Sequence, residues 1–155
     1  MTCNSELSLL DQQLCFALYR ASRAMTRAYG PLLEPFGLTY PQYLTLLALW
    51  EARGARDLSV KQLGERLSLD SATLTPLLKR LEAQGVIERR RDAADERVVR
   101  VHLTRKGRAL EAKAQTVPAE LACRVANAED KAAFARLMRL RDELRELGCQ
   151  LEKSA

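Results

Sequence analysis

Two capping boxes in succession, Thr39-x-x-Gln42 and Ser59-x-x-Gln62, constrain this chain more than any other feature. In each, a hydroxyl and a carboxamide three residues apart can satisfy one another's backbone N–H groups. An apolar pair, Leu38 with Tyr43 and Leu58 with Leu63, is placed to staple each turn. Each box predicts a helix start. The first helix carries Leu44, Leu47 and Ala48 and is expected to end near Gly54; the second is short and buries Leu63 and Leu67. After Ser68-Leu69, Asp70 is placed as the N-cap of a third helix, with Leu74, Leu77, Leu78 and Leu81 inward and Gly85 as its stop. Pro76 leaves two readings open, a start near Thr75 or a bend, because an interior proline removes a hydrogen bond.

Residues 86–91 and 97–103 then read as two short strands around the polar turn Asp92-Ala93-Ala94-Asp95-Glu96. Val99, Val101 and Leu103 fall on one face, Arg100 and His102 on the other. Thr104 is placed to cap a long helix, which Pro118 should break or bend before a last helix begins near Asn127. Ahead of the first box, residues 7–28 read as a helix whose Leu7, Leu10, Leu14, Ala17, Ala21, Ala24 and Ala28 form a narrow apolar seam, interrupted at Gly30-Pro31. Leu137, Leu140, Leu144, Leu147 and Leu151 repeat the device. Such seams suit helices lying along a partner helix. The expected fold is mostly α with a small β-hairpin, a winged helix-turn-helix with terminal dimerisation helices. Residues 1–155 would form one domain, with a core at about 38–108 and a helical dimerisation layer from about 7–30 and 109–155.

Composition excludes several function classes. The chain is 47% hydrophobic and 5% aromatic, with Leu and Ala dominating, which fits a helix-rich protein. It holds no apolar run of spanning length and no basic-then-apolar leader, so a cytoplasmic location is expected. Cys3, Cys15, Cys123 and Cys149 lie far apart and are expected to be reduced there, and with His102 the only histidine a metal site is improbable. No cofactor motif or catalytic constellation is evident, so the chain is not expected to be an enzyme.

Charge placement points to a partner. Residues 79–108 hold ten basic side chains against five acidic ones, an excess equal to the whole chain's +5. That segment is the end of the Asp70 helix and the hairpin, the two parts a winged helix lays on double-stranded DNA. Ser71, Thr73, Thr75 and Pro76 decorate the outward side of the helix, where short groups can approach base edges and thymine methyls. Lys79, Arg80, Arg89, Arg90 and Arg91 are placed to neutralise phosphates. Arg97 at the hairpin tip could enter a minor groove, with Asp95 holding its guanidinium. A homodimer would present two such helices to a roughly palindromic operator.

The segment Asp70-Ser-Ala-Thr-Leu-Thr-Pro-Leu-Leu-Lys-Arg-Leu-Glu-Ala-Gln-Gly-Val-Ile, followed by Asp92-x-x-Asp95-x-Arg97 and Leu103-Thr104-x-x-Gly107, resembles the MarR family of dimeric repressors. Leu9-Leu-Asp-Gln-Gln-Leu-Cys15-Phe-Ala-Leu-Tyr19 and Leu38-Thr-Tyr40-Pro-Gln-Tyr43 are similar to its organic-hydroperoxide-sensing subgroup, the OhrR repressors. The resemblance implies that Cys15 is the peroxide sensor, hydrogen-bonded by Tyr29 and Tyr40. It also implies a resolving thiol from the C-terminal half of the other subunit, for which Cys123 is the best candidate.

The residues themselves add that Cys15 lies beside the Leu14 seam, partly screened from water, with Tyr19 one helical turn on. Burial would raise a thiol's pKa, and tyrosine hydroxyls donating to the thiolate would oppose that. Taken alone, the same position reads first as a packed core cysteine, and the resemblance reverses that reading. A regulator released by a small phenolic ligand, a thiol peroxidase and a purely architectural DNA binder are the rival readings. Cys3, in a terminus expected to fray, Cys149, beside the leucine seam, and His102, as a hairpin surface residue, are expected to be bystanders.

Overall fold

The computed structural model describes residues 9–52, 57–125 and 130–154, which form two compact units, 1–114 and 115–155. The first begins with a 3-10 turn at Leu10–Gln12 and helix α1 at Leu14–Leu33. The N-terminal helix thus starts later than its apolar seam suggested, and Leu7 lies outside the described residues. It also runs straight through Gly30-Pro31. The residue before a proline avoids helix because its Cβ meets the ring, and glycine has none. Gly30 therefore tolerates the helical conformation, its carbonyl accepts the Glu34 N–H, and the last turn is drawn inward by buried Leu32 and Leu33. The chain reverses through Glu34–Phe36 and Gly37, whose φ of +64° is a conformation that L side chains rarely adopt.

Helix α2 spans Tyr40–Glu51; Gly54, its expected end, lies outside the described residues. Gln42 Oε1 accepts the Thr39 N–H at 2.8 Å, and the staple pair Leu38 and Tyr43 is buried. Helix α3, Val60–Leu67, has both bonds of its box: Ser59 N–H to Gln62 Oε1 at 2.9 Å and Gln62 N–H to Ser59 Oγ at 3.1 Å. Ser68 closes it in the left-handed region, and Asp70 Oδ1 accepts the Thr73 N–H at 2.7 Å to open α4, Ser71–Ala83. Pro76 therefore sits inside a helix that starts before it. Its ring removes one N–H to the Ala72 carbonyl, a loss offset by the cap and by burial of Leu74, Leu78 and Leu81.

Strands β1, Ile87–Arg91, and β2, Val99–Leu103, pair antiparallel from Ile87 opposite Leu103 to Arg91 opposite Val99. The hairpin is closed by Asp92 N–H to Val98 O at 2.8 Å. Its other edge is tied to the core, because the Val101 N–H donates to Leu58 O at 2.9 Å. Helix α5, Arg105–Ala114, is capped as expected by Thr104, whose Oγ1 accepts the Gly107 N–H and donates to Gly85 O at 2.7 Å.

In the second unit, α6 spans Val117–Val125 and α7 spans Lys131–Ser154. Pro118 opens α6 instead of breaking a longer helix, since its missing N–H falls among first-turn groups that have no helical partner anyway. Asn127 lies outside the described residues; Asp130 Oδ1 caps α7 through the Ala132 and Ala133 N–H groups at 3.0 and 2.9 Å.

Gly107 fixes how α5 meets the hairpin. A Cβ there would stand 2.0 Å from the Val86 carbonyl oxygen, and the Gly107 carbonyl itself accepts the buried Trp50 Nε1–H at 3.0 Å. Gly107→Ala is therefore expected to destabilise the chain by about 3 kcal/mol, as backbone cannot yield the way a side-chain tip can. Urea denaturation checks this; a loss within about 0.5 kcal/mol, typical of a neutral surface change, would contradict it.

Candidate nucleic-acid interface and thiol site

Helix α4 divides cleanly into two faces. Leu74, Leu78 and Leu81 are buried, while Ser71, Ala72, Thr73, Pro76, Lys79 and Arg80 are exposed. Thr75 lies at the flank, half-buried. Ala72, one turn before Pro76, stands at the centre of the outward face, although no sequence argument singled it out. Counting the helical period outward from Leu74 and Leu78 would have found it. The face combines methyl groups, hydroxyls and two cations, a surface that can meet a polyanion and read its edges.

The hairpin arginines are not equivalent. Arg89 is half-buried and engaged by Glu82 of α4: its N–H donates to Oε1 at 3.0 Å, and its Nε and Nη2 donate to Oε2 at 3.0 and 2.6 Å. Arg100 pairs with Asp92, and Arg90 pairs with Glu88 at 2.6 Å while staying exposed. Arg91 and Arg97 are exposed and form no ion pair among the described residues. The expected hold of Asp95 on the Arg97 guanidinium is absent. Asp95 Oδ1 accepts the Arg97 backbone N–H at 3.0 Å instead, because a two-residue spacing in a turn brings the carboxylate to the main chain. His102 is also more than a surface residue: its Nδ1 lies 2.7 Å from Asp57 Oδ2, and the Asp57 carbonyl accepts from Arg100 Nη1 at 2.8 Å. These bonds fasten the outer face of β2 to the segment before α3.

Cys15 sits in the first turn of α1 and is exposed, not screened as the Leu14 seam suggested, since Leu14 itself is 60% exposed. Its thiol donates to Gln13 Oε1 at 3.2 Å. Tyr19, one turn on, is not bonded to it among the described residues; its ring stacks near Phe16 and under Arg23. Tyr29 and Tyr40, from α1 and α2, stack with ring centroids 4.5 Å apart, and Tyr43 lies 5.8 Å from Tyr29. Burial, with the Tyr40 hydroxyl nearby, pushes Tyr29 above its usual pKa; burial does the same to Tyr40, and drives Tyr43 to about 12. All three stay hydrogen-bond donors at neutral pH. No described residue accepts from the Tyr29 or Tyr40 hydroxyl. Cys15 and Tyr29 are fourteen residues apart on one straight helix, about 21 Å at 1.5 Å per residue, so one chain cannot join them. Cys123 is exposed on α6 and Cys149 on α7; Cys3 lies outside the described residues. Among the described residues no cluster of His, Cys, Asp and Glu could hold a metal, and no helix is long and apolar enough to cross a membrane.

The family model for the transcriptional regulator SarA/Rot matches residues 27–113, from the end of α1 through the hairpin into α5. The chain belongs to the MarR-like family of winged-helix transcriptional regulators. The organic hydroperoxide resistance transcriptional regulator of Bacillus subtilis is 54% identical over 109 residues, covering 70% of this chain and 72% of that one. The regulator TtmR of Methylorubrum extorquens is 53% identical over 137 residues, 87% of this chain and 69% of that one. Among solved structures, reduced AbfR bound to DNA matches with a TM-score of 0.71 and 34% identity, covering 92% of this chain and 97% of that one. AbfR, from Staphylococcus epidermidis, has also been solved overoxidised on DNA and with its disulfide formed. The expected winged helix-turn-helix and the resemblance to the hydroperoxide subgroup both hold.

In this MarR-like chain the Glu82–Arg89 contact has a pH signature. The Arg89 guanidinium, then its N–H, holds the Glu82 carboxyl below its usual 4.5. A depressed folded-state carboxyl contributes stability that is present above the unfolded value and lost as pH falls through the folded one. Glu82→Gln is expected to cost about 1 kcal/mol at neutral pH, discounted for partial exposure. That difference should close as the pH drops below 4.5, in thermal melts of both proteins at each pH.

Proposed function

We propose that this chain is a homodimeric repressor that binds double-stranded DNA and leaves it when an organic hydroperoxide oxidises Cys15. One observation carries the reading: Cys15 and Tyr29 lie about 21 Å apart along α1 and Tyr40 stacks on Tyr29, so a second copy would have to bring thiol and tyrosines together. The apolar surface for that copy is present. Leu10, Leu14, Met25, Leu140, Leu144 and Leu151 are between 40% and 60% exposed in the single chain, apolar surface of the kind that marks an interaction site. The similarity to a hydroperoxide-resistance regulator, and to a regulator solved reduced on DNA and with its disulfide formed, supports the same reading.

The two α4 helices of the dimer would enter successive major grooves, about 34 Å apart, of a roughly palindromic operator. Ser71, Ala72, Thr73, Thr75 and Pro76 would face the bases, with Lys79, Arg80, Arg90 and Arg91 on phosphates and Arg97 at the minor groove. Arg89 would position the wing through Glu82 and not meet a phosphate itself. Two hydroxyls donating to Cys15 from the other subunit would favour its thiolate. The thiolate attacks the outer peroxide oxygen: an S–O bond forms, the O–O bond breaks, and the departing alkoxide takes a proton to leave as the alcohol. The resulting sulfenic acid condenses with Cys123, or with a small thiol, to a disulfide and water. The first step removes the charge that the tyrosines would hold, and the second replaces the sulfenic acid with a disulfide. Tyr19 would line the approach to Cys15. The chain would act in the cytoplasm, as a regulator and not as an enzyme, with no cofactor.

Cys15→Ser is expected to bind operator DNA as the wild type does and to stay bound after an alkyl hydroperoxide. Tyr29→Phe and Tyr40→Phe are expected to bind normally and respond more slowly. A gel-shift titration with oxidant checks all three, and release of the serine variant at the wild-type dose would overturn the assignment. For the wing, Arg91→Ala should lower the slope of log affinity against log salt by about one unit, and Arg89→Ala should weaken binding with the slope nearly unchanged. Fluorescence anisotropy across a salt series separates the two.

A further inference from the structure

The turn that joins α1 to α2 is held from two sides. On its own side, the Gly37 N–H donates to Glu34 O at 2.9 Å and the Leu38 N–H to Leu33 O at 3.3 Å. Tyr29 precedes this turn and Tyr40 follows it, and their rings stack 4.5 Å apart across it. The turn and the tyrosine pair therefore move together. From the other side, the carbonyl of Gly37 accepts the side-chain Nε2–H of Gln84 at 3.0 Å. Gln84 is the C-cap of α4, the helix whose outward face was assigned to DNA.

We infer that Gln84 is a positioning residue that couples the Tyr29–Tyr40 pair to the DNA-reading helix, by gripping the Gly37 carbonyl from the end of α4. The grip is directional. Gly37 is in the left-handed conformation, φ +64°, and its carbonyl accepts from the end of α4. Gln84 is itself anchored: its N–H donates to Arg80 O at 3.0 Å, and its carbonyl accepts Lys106 Nζ at 2.8 Å from α5. Its Oε1 is buried, and no donor among the described residues reaches it. The amide is thus committed to one contact, with Gly37, and a shift of the turn has no second bond within the chain to absorb it. Two residues earlier Glu82 holds the wing through Arg89. The last turn of α4 consequently receives a displacement on the Gln84 side and passes it to helix and wing together.

This inference rests on the proposal that Cys15 oxidation disturbs the tyrosine pair, so its test reads oxidation and release separately. Gln84→Leu keeps the bulk of the side chain and removes its donor. The full-length variant is expected to melt cooperatively, to bind operator DNA when reduced within about threefold of the wild type, and to oxidise at Cys15 at the wild-type rate, followed by mass spectrometry after an alkyl hydroperoxide. Its loss of DNA affinity on oxidation should be about tenfold smaller than the wild type's, within the range of allosteric couplings. If Leu at this position prevents folding, Gln84→Glu keeps the shape, lacks the donor and is scored the same way. An oxidised variant that releases DNA as completely as the wild type would overturn the coupling role and leave Cys15 as the sensor. A wild type that keeps its DNA affinity with Cys15 fully oxidised would overturn the sensor assignment, and the coupling with it.

Discussion

The carbonyl of Val86 takes the Thr104 N–H at 3.1 Å while Gly107 presses against it, closer than any side chain allows. At that point the base of the hairpin, the start of α5 and the end of α4 come together. Thr104 adds a bond to Gly85 O, and Trp50 reaches from α2 to the Gly107 carbonyl. A wing built on two strands alone is marginal in water. Here it borrows rigidity from this junction at its base and from Leu58 and Asp57 along its free edge. The basic hairpin can be held at a defined angle to α4 only because its foot is fixed in this way.

Arginines of the hairpin that look alike in sequence differ in role. Arg89 and Arg100 are half-buried, where a guanidinium left unpaired would lose solvation without return, and each is met by a carboxylate. Arg91 and Arg97 are exposed to solvent and without a carboxylate among the described residues. Exposure, not distance from the foot of the hairpin, sorts these cations: Arg90 stands opposite Arg100 in the register, yet Arg90 is exposed and Arg100 half-buried.

The thiol site follows a different logic. No described residue buries Cys15 or satisfies the Tyr29 and Tyr40 hydroxyls, and the leucines beside Cys15 are exposed. Four turns of α1 separate Cys15 from Tyr29. In the proposed dimer the sensor would lie across a subunit boundary, so its chemical state would be a property of the assembly and a change there would act on the spacing between the two copies of α4. On that proposal the terminal seams and the sensor would be one design, the contact that joins the subunits also completing the pocket.

What the sequence by itself determined is what depends on neighbours in the chain. The boxes at Thr39 and Ser59, the Asp70 and Thr104 caps and the alternation along the second strand were legible because each is decided within four residues or by a period of two. The outward face of α4 was legible for the same reason, and even the overlooked Ala72 follows from the helical period. Local rules also misled where two of them competed. Gly30-Pro31 reads as a break until the missing Cβ is considered, and Pro118 reads as a break when it is a start. The tertiary structure alone decided the rest: that Glu82 claims Arg89, that Asp57 holds His102, that Gly107 is needed because Val86 lies against it, and that Gln84 reaches Gly37 across 47 residues. Those contacts join elements distant in sequence, and no periodicity encodes which side chain a folded core will bring within 3 Å of another.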